Sequence, residues 1–277
     1  MAPVRKSAFV ILALLCACRI PEYREIKNLV QVTRYLSAAR FDKEFHYRKH
    51  WAIGSADAKM PKEAKERWAQ MQAAIWDFQS FHQSFYDVTL EQSEADIWEK
   101  PLAFLDSKPG KKLARSLDIY YEQARDLWRD FRNDDIGPER RRLITELYFL
   151  GFDLGLEEDI ARLLNPLFTE AEYKVKHGRI PAADDEGFKD KAEHNLEKEL
   201  RRLRRLNRTQ HLGKNEFRDL AIRFSLLTDE DLAVILREQA KPENIDMGHL
   251  ERIAIAESMA FQLEDFLGPM PEPATKE

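Results

Sequence analysis

The chain has 277 residues, of which 34% are charged and 10 are glycine, and its formal net charge is −5. This acidic balance disfavours a general nucleic-acid-binding role, because contact with phosphate backbones depends on an excess of basic side chains. The chain has two cysteines, Cys16 and Cys18. Because both lie near the N-terminus, no disulfide is expected in the rest of the chain.

The first 17 residues have the pattern of an export signal. Arg5 and Lys6 precede a short apolar run that extends from Ala8 to Ala17, as in a secretory signal peptide. The run is too short to cross a hydrocarbon core, which takes roughly 20 apolar residues. Residues 1–17 are therefore left out of the expected fold.

The end of this run resembles a bacterial lipobox, in which a leucine lies three positions before the modified cysteine and a small residue directly before it. Cys18 fits this pattern, with Leu15 and Ala17 in the two required places. Cys16 fits poorly, because the bulky Leu15 would occupy the small position. An ordinary cleaved signal with incidental cysteines is the alternative.

The lipobox resemblance implies that Cys18 carries a diacylglyceryl group and becomes the mature N-terminus, with residues 18–21 as lipidated end and linker. Several acyl chains would then make the attachment to the membrane durable. Arg19 differs from the aspartate that retains some bacterial lipoproteins in the inner membrane. By this resemblance, the periplasmic face of the outer membrane is favoured.

Scarce glycine and widespread helical spacing predict an all-α fold, a helical bundle. One helix is expected from about 61 to 86, where apolar residues recur at intervals of three and four and His82 fills the remaining position. Another follows Pro109-Gly110. Lys108 precedes the proline and is expected to lie outside the helical region. Gly110 is expected to permit a sharp reversal there.

A turn near 133–138 divides the chain into two predicted helical halves, residues 22–135 and 138–267. Thr228, with three acidic residues after it, is expected to cap a helix. A tail, 268–277, is expected to be disordered. The helices predicted in the second half cover about 139–152, 157–164, 168–177, 188–210, 214–226, 229–240 and 246–267.

The two halves show signs of a degenerate duplication. Each opens with a short helix, and each later has a helix pair broken at a Lys-Pro, at Lys108 in the first half and Lys241 in the second. The alternative is that helical proteins resemble one another by their period alone.

Residues 102–113, Leu-Ala-Phe-Leu-Asp-Ser-Lys-Pro-Gly-Lys-Lys-Leu, resemble the signature of a bacterial helical family, domain of unknown function 2059. That signature is a helix end with an aromatic residue, then Ser-x-x-Gly with proline, then a basic residue and leucine. Residues 224–232 resemble the helix start that usually precedes it. The two segments lie in different halves. The resemblance implies an exported α-helical domain with no assigned activity.

Two histidines, His46 and His50, are spaced as metal ligands on one helix face would be. Tyr47 occupies the position where a catalytic zinc motif has glutamate, and the basic residues between the histidines oppose a cation. We therefore expect surface histidines and no metal site. His82 could act as a general base, but a core histidine satisfied by one hydrogen bond is favoured.

Residues 196–208 carry the strongest charge feature, a helix with a leucine stripe and a basic remainder. Such a helix can meet an anionic surface, or it can be a core helix whose arginines are solvated and paired with acids. The candidate contacts to an anionic surface are Arg201, Arg202, Arg204, Arg205 and Arg208.

No nucleophile elbow, phosphate loop or dinucleotide turn is found, so no catalytic residue and no cofactor are assigned. The expected function is a binding or scaffold module at the cell envelope. Its expected partners are the membrane, through the lipid anchor, and an envelope protein or hydrophobic ligand. The alternatives are an envelope enzyme with a site between the halves, and membrane-surface association through residues 196–208.

The lipid anchor can be tested at single residues. Replacing Cys18 by serine should abolish metabolic labelling with a fatty acid, because the acceptor thiol is lost. Replacing Cys16 by serine should leave the labelling intact. Loss of labelling in the Cys16→Ser variant alone would show that the anchor is assigned to the wrong cysteine.

Overall fold

The computed structural model describes residues 21–54, 56, 59–92, 97–131, 136–182 and 184–268. These residues are mostly helical and contain no β-strand, which confirms the all-α prediction. The helices are α1 (Pro21–Ala38), α2 (Phe41–Gly54), α3 (Lys62–Ile75), α4 (Phe78–Gln92), α5 (Glu99–Asp106), α6 (Lys108–Asp130), α7 (Pro138–Leu150), α8 (Leu154–His177), α9 (Glu186–Thr209), α10 (Lys214–Arg223), α11 (Asp229–Gln239) and α12 (Pro242–Leu267).

The export signal, Cys18 and the tail after Gly268 lie outside the described residues, as do residues 133–135 of the midpoint turn. The predictions made for them stay predictions. None of the described helices combines the length and apolar character that crossing a membrane requires.

Helix α12 lies at the centre of the bundle and packs against α3, α4, α5, α8 and α11. Near its start, Met247 and Leu250 join an aromatic cluster that includes Phe81. Near its end, Leu263 joins a second cluster that includes Met71. Helices from both predicted halves therefore share α12 as a packing partner, and the division into related halves stays a prediction.

The prediction of one helix from 61 to 86 is wrong, because the segment contains two helices that meet at Trp76 and Asp77. The carboxylate of Asp77 accepts a hydrogen bond from the N–H of Ser80 at 2.8 Å and so caps the start of α4. The apolar seam continues across the break, since Met71, Ile75 and Phe85 are all buried.

The separate helices predicted at 157–164 and 168–177 are one helix, α8, with Pro166 inside it. A proline removes one helical hydrogen bond and usually ends or kinks a helix. Pro166 lies on an exposed position, where water can hydrate the unpaired carbonyl group. The buried face of α8, which includes Ala161 and Ala171, packs against α9 and α12 and favours one continuous helix.

Ser107, and not Gly110, makes the junction between α5 and α6. Ser107 adopts an extended conformation, with φ −70° and ψ 167°, and its hydroxyl accepts a hydrogen bond from the N–H of Gly110. Gly110 is itself helical, and a Cβ on it would lie 2.2 Å from the carbonyl oxygen of Phe104. The expected reversal at Gly110 is therefore wrong, and the glycine instead permits close approach of two helices.

Thr228 caps α11 as expected. Its hydroxyl accepts a hydrogen bond from the N–H of Asp231 at 3.1 Å, and the Asp231 carboxylate accepts one from the N–H of Thr228 at 3.3 Å. This reciprocal pair is a capping box.

Gly110→Ala should lower the free energy of unfolding by about 1–3 kcal/mol, because backbone atoms would have to move away from the added methyl group. Gly248→Ala is the matched control, since Gly248 lies within α12 and a Cβ there meets no atom within 4 Å. That change should raise stability by about 0.5–1 kcal/mol. Urea unfolding of both variants measures the contrast, and equal effects would contradict this account of Gly110.

Candidate functional site

A cavity of about 290 Å³ lies between α1, α2, α5, α6, α7, α10, α11 and α12. Its volume is close to the lower end of the roughly 300–1,000 Å³ of typical small-molecule sites. Residues from both predicted halves line it. Most of the wall is apolar, and its larger side chains include Leu113, Leu117, Leu147, Leu220, Phe224 and Ile235.

The cavity contains one carboxyl group, that of Glu251 on α12. Glu251 is half-buried and lines the cavity. Tyr35 of α1 also lines the cavity, and its hydroxyl donates a hydrogen bond to Oε1 of Glu251. The site is therefore an apolar chamber with a paired carboxyl and phenol in its wall.

Burial raises the pKa of Glu251 from its ordinary value to about 7. The negative charge of Glu44 raises it further, while the Tyr35 hydrogen bond and the charge of Arg252 act in the opposite direction. Burial also raises the pKa of Tyr35, and the neighbouring Glu251 adds to the effect. Near neutral pH, Glu251 is thus divided between its neutral and ionised forms.

Among the described residues, Glu251 forms no ion pair. Arg252 follows Glu251 directly, but its guanidinium donates a hydrogen bond to Glu157 on α8. Tyr35 is held in place by aromatic contacts, with ring centroids 5.9 Å from Phe85 and 5.8 Å from Trp98.

A polar cluster between α2, α6 and α10 lies near this site and has its charges matched. Arg223 donates a hydrogen bond from Nε to Asp219 at 2.9 Å and lies 3.7 Å from Glu44. Burial opposes ionisation of Glu44, but the cations of Arg48 and Arg223 outweigh it and hold the pKa of this carboxyl below its ordinary value. The hydroxyl of Tyr120 donates to Asp219.

The leucine stripe of the Arg-rich helix is buried inside the protein. Leu200, Leu203 and Leu206 are 1%, 3% and 8% exposed, and α9 packs on α8. The stripe therefore does not face outward, and insertion of this face into a bilayer would require the fold to open. The candidate residues Arg201, Arg202, Arg204, Arg205 and Arg208 are all exposed.

Two of these arginines have acidic partners. Arg202 donates to Glu199 at 2.7 Å, and Arg204 donates to Glu158 at 2.7 Å. The alternative of a core helix with paired arginines therefore holds for the buried leucines and for Arg202 and Arg204.

The histidines considered as ligands or bases lie away from the cavity. His46 and His50 are exposed on α2, with ring centroids 4.3 Å apart. Over the described ranges, no three or more His, Cys, Asp or Glu side chains are grouped so that they could hold a metal ion. Nε2 of the half-buried His82 lies 3.1 Å from the hydroxyl of Thr33, and burial lowers the pKa of this imidazole.

Sequence reasoning missed Glu251, although the sequence contains a signal for it. Met247, Glu251 and Ala254 are spaced by four and three residues, so they lie on one helical face. Met247 and Ala254 are buried. A single carboxyl group on an otherwise apolar helical face indicates an acid that lies inside the fold.

A comparison with protein-family models, with curated proteins and with solved structures finds no match to this chain. The resemblance of residues 102–113 to domain of unknown function 2059 stays a prediction. Function has to be inferred from the chain's own sites, because a helical fold does not by itself imply an activity.

Glu251→Gln should make the free energy of unfolding depend less on pH. Because the pKa is raised from 4.5 to about 7 on folding, the folded state binds the proton more tightly than the unfolded state. The protonated Glu251 carboxyl therefore stabilises the folded state fully below about pH 4.5, and this contribution is lost as the pH rises through about 7. The full loss is on the order of 3 kcal/mol.

The measurement is the unfolding free energy of wild type minus that of Glu251→Gln, obtained by urea titration at acidic and alkaline pH. The difference should fall with rising pH. Glu264→Gln, an exposed change on the same helix, controls for general effects of removing a carboxylate. A difference that stays constant with pH would mean that Glu251 has an ordinary pKa.

Proposed function

We propose that this protein is an exported, lipid-anchored binding module of the bacterial cell envelope that holds a small apolar ligand in its central cavity. The observation that carries the proposal is an apolar chamber between helices with one half-buried carboxyl of raised pKa, that of Glu251, in its wall. A largely apolar pocket with a few converging polar groups is the usual form of a small-molecule site.

The wall chemistry defines the ligand class. Leucine, isoleucine and phenylalanine side chains contact the apolar body of the ligand, and Glu251 with Tyr35 provides the polar contact. Since the pKa of Glu251 is about 7, its carboxyl group can donate a hydrogen bond when neutral and accept one when ionised. The ligand is therefore an apolar molecule with one hydrogen-bonding head group, such as a hydroxyl.

Attachment to a membrane is supported by the leader and by the surface of α1. Ile26 and Val30 are 62% and 60% exposed, and Leu29 between them is 45% exposed. Helix α1 begins at Pro21, three residues after Cys18. An acylated Cys18 would hold this apolar face close to the bilayer, where exposed apolar patches of a soluble surface can be covered.

An envelope enzyme is the second candidate, and one observation favours it. A carboxyl group with a pKa of about 7 in an apolar site is suited to proton transfer near neutral pH. Recovery of a bound molecule in chemically unchanged form after incubation with the protein would favour binding. Its conversion by the wild-type chain but not by Glu251→Gln would favour the enzyme.

Binding in the cavity can be measured with the neutral apolar fluorophore N-phenyl-1-naphthylamine. The full chain carrying Cys18→Ser is used, so that neither acyl chains nor detergent compete for the probe. Its fluorescence should rise to saturation at one equivalent. Ala38→Phe should weaken binding strongly, because Ala38 lines the cavity and the added ring occupies much of its volume.

Ala103→Phe is the matched control, since Ala103 is exposed on α5 and does not line the cavity. It should bind the probe like the parent chain. Equal affinity of the Ala38→Phe and Ala103→Phe variants would mean that the probe binds elsewhere and would contradict the proposed site.

A further inference from the structure

A second, open cleft of about 730 Å³ lies between α8 and α9. It shares no lining residue with the central cavity. Because the leucine stripe of α9 is buried against the core, the helix that forms one wall of the cleft is fixed in position. The polar side chains that this wall presents are thus arranged by the fold.

The α9 wall presents four cations to the cleft: Lys198, Arg201, Arg202 and Arg205. Their spacing of three, four and seven residues from Lys198 places them along one face of the helix. This concentration of positive charge occurs in a chain whose net charge is −5, so it is a local property of this face.

The two carboxylates in the cleft already have partners. Glu199 accepts from Arg202 at 2.7 Å, and Glu172 lies 4.0 Å from Lys176. Within the described ranges, no ion pair is formed by Lys198, Arg201 or Arg205. The cleft therefore carries an excess of positive charge that no protein carboxylate neutralises.

The α8 wall adds neutral polar groups. Oδ1 of Asn165 is buried and has no hydrogen-bond partner in the described part of the chain. Thr169, one turn further along, accepts a hydrogen bond from Asn195 of α9 at 3.3 Å. A ligand hydroxyl that donates to Asn165 would satisfy this acceptor, which is otherwise costly to leave unpaired.

We propose that this cleft binds a phosphate-bearing ligand, with Arg201, Arg205 and Lys198 as the groups that contact the phosphate. Guanidinium groups donate two parallel hydrogen bonds to phosphate oxygens, and ammonium adds a point charge. A ligand with a phosphate group and a neighbouring hydroxyl matches both walls, because the phosphate meets the cations of α9 and the hydroxyl meets Asn165 of α8. Both a free phosphate ester and the head group of an anionic phospholipid present this chemistry.

The test is calorimetric titration of the full chain carrying Cys18→Ser with inorganic pyrophosphate and, separately, with vesicles of phosphatidylglycerol and phosphatidylcholine. Vesicles of phosphatidylcholine alone are the lipid control. We expect saturable binding that weakens with rising ionic strength. Binding of pyrophosphate shows that the cleft takes a free phosphate compound, and binding only of the phosphatidylglycerol vesicles identifies the lipid head group.

The variant Arg201→Gln with Arg205→Gln should weaken binding by about tenfold or more, since each lost contact is a charged hydrogen bond. Arg125→Gln with Arg237→Gln removes the same charge from exposed positions that do not line the cleft, and it should bind like the parent. Equal weakening in both double variants, or no binding of either ligand, would overturn the proposal.

Discussion

Helix α12 is covered by its neighbours along most of its length, since its side chains are buried or half-buried at most positions and five other helices pack around it. Acidic groups at its few exposed positions, such as Glu264, reach bulk water, whereas Glu251 lies on a face that packs against other helices. The raised pKa of Glu251 therefore follows from the packing of this face. The central cavity lies where helices around α12 do not fill the space between them.

Two carboxyl groups near the centre, Glu44 and Glu251, respond to burial in opposite ways. Glu44 is matched by the guanidinium groups of Arg48 and Arg223, which lower its pKa despite burial. Glu251 is followed by an arginine, but that arginine is engaged with Glu157. A buried charge with partners contributes to the architecture, whereas a buried group without a charge partner stays free to exchange a proton or a hydrogen bond. This difference is why Glu251, and not the more extensive cluster around Glu44, marks the candidate site.

Local patterns in the sequence predicted the helical class and many helix ends, since caps such as Thr228 act over a few residues. They failed where an uninterrupted apolar period or a proline pointed to the wrong helix ends. Asp77 ends one helix and begins another inside an uninterrupted apolar seam. Pro166 is accommodated inside α8. The arginines of α9 were found from the sequence, but their distribution between ion pairs and the cleft depends on α8. The cavity forms only where eight helices pack together, so it has no local sequence pattern, although Glu251 on an apolar helical face pointed to an acid inside the fold.

The position of α12 along the chain has a consequence for folding. A chain that emerges from a ribosome or a translocation channel presents its N-terminal part first. Helix α4 packs more extensively on α12 than on any other helix, and α12 follows it by more than 140 residues. The chain loses conformational entropy in closing a loop of that length before the stabilising contacts can form. The face of α4 that packs on α12 therefore remains uncovered until α12 has emerged, and during this interval it is exposed to aggregation.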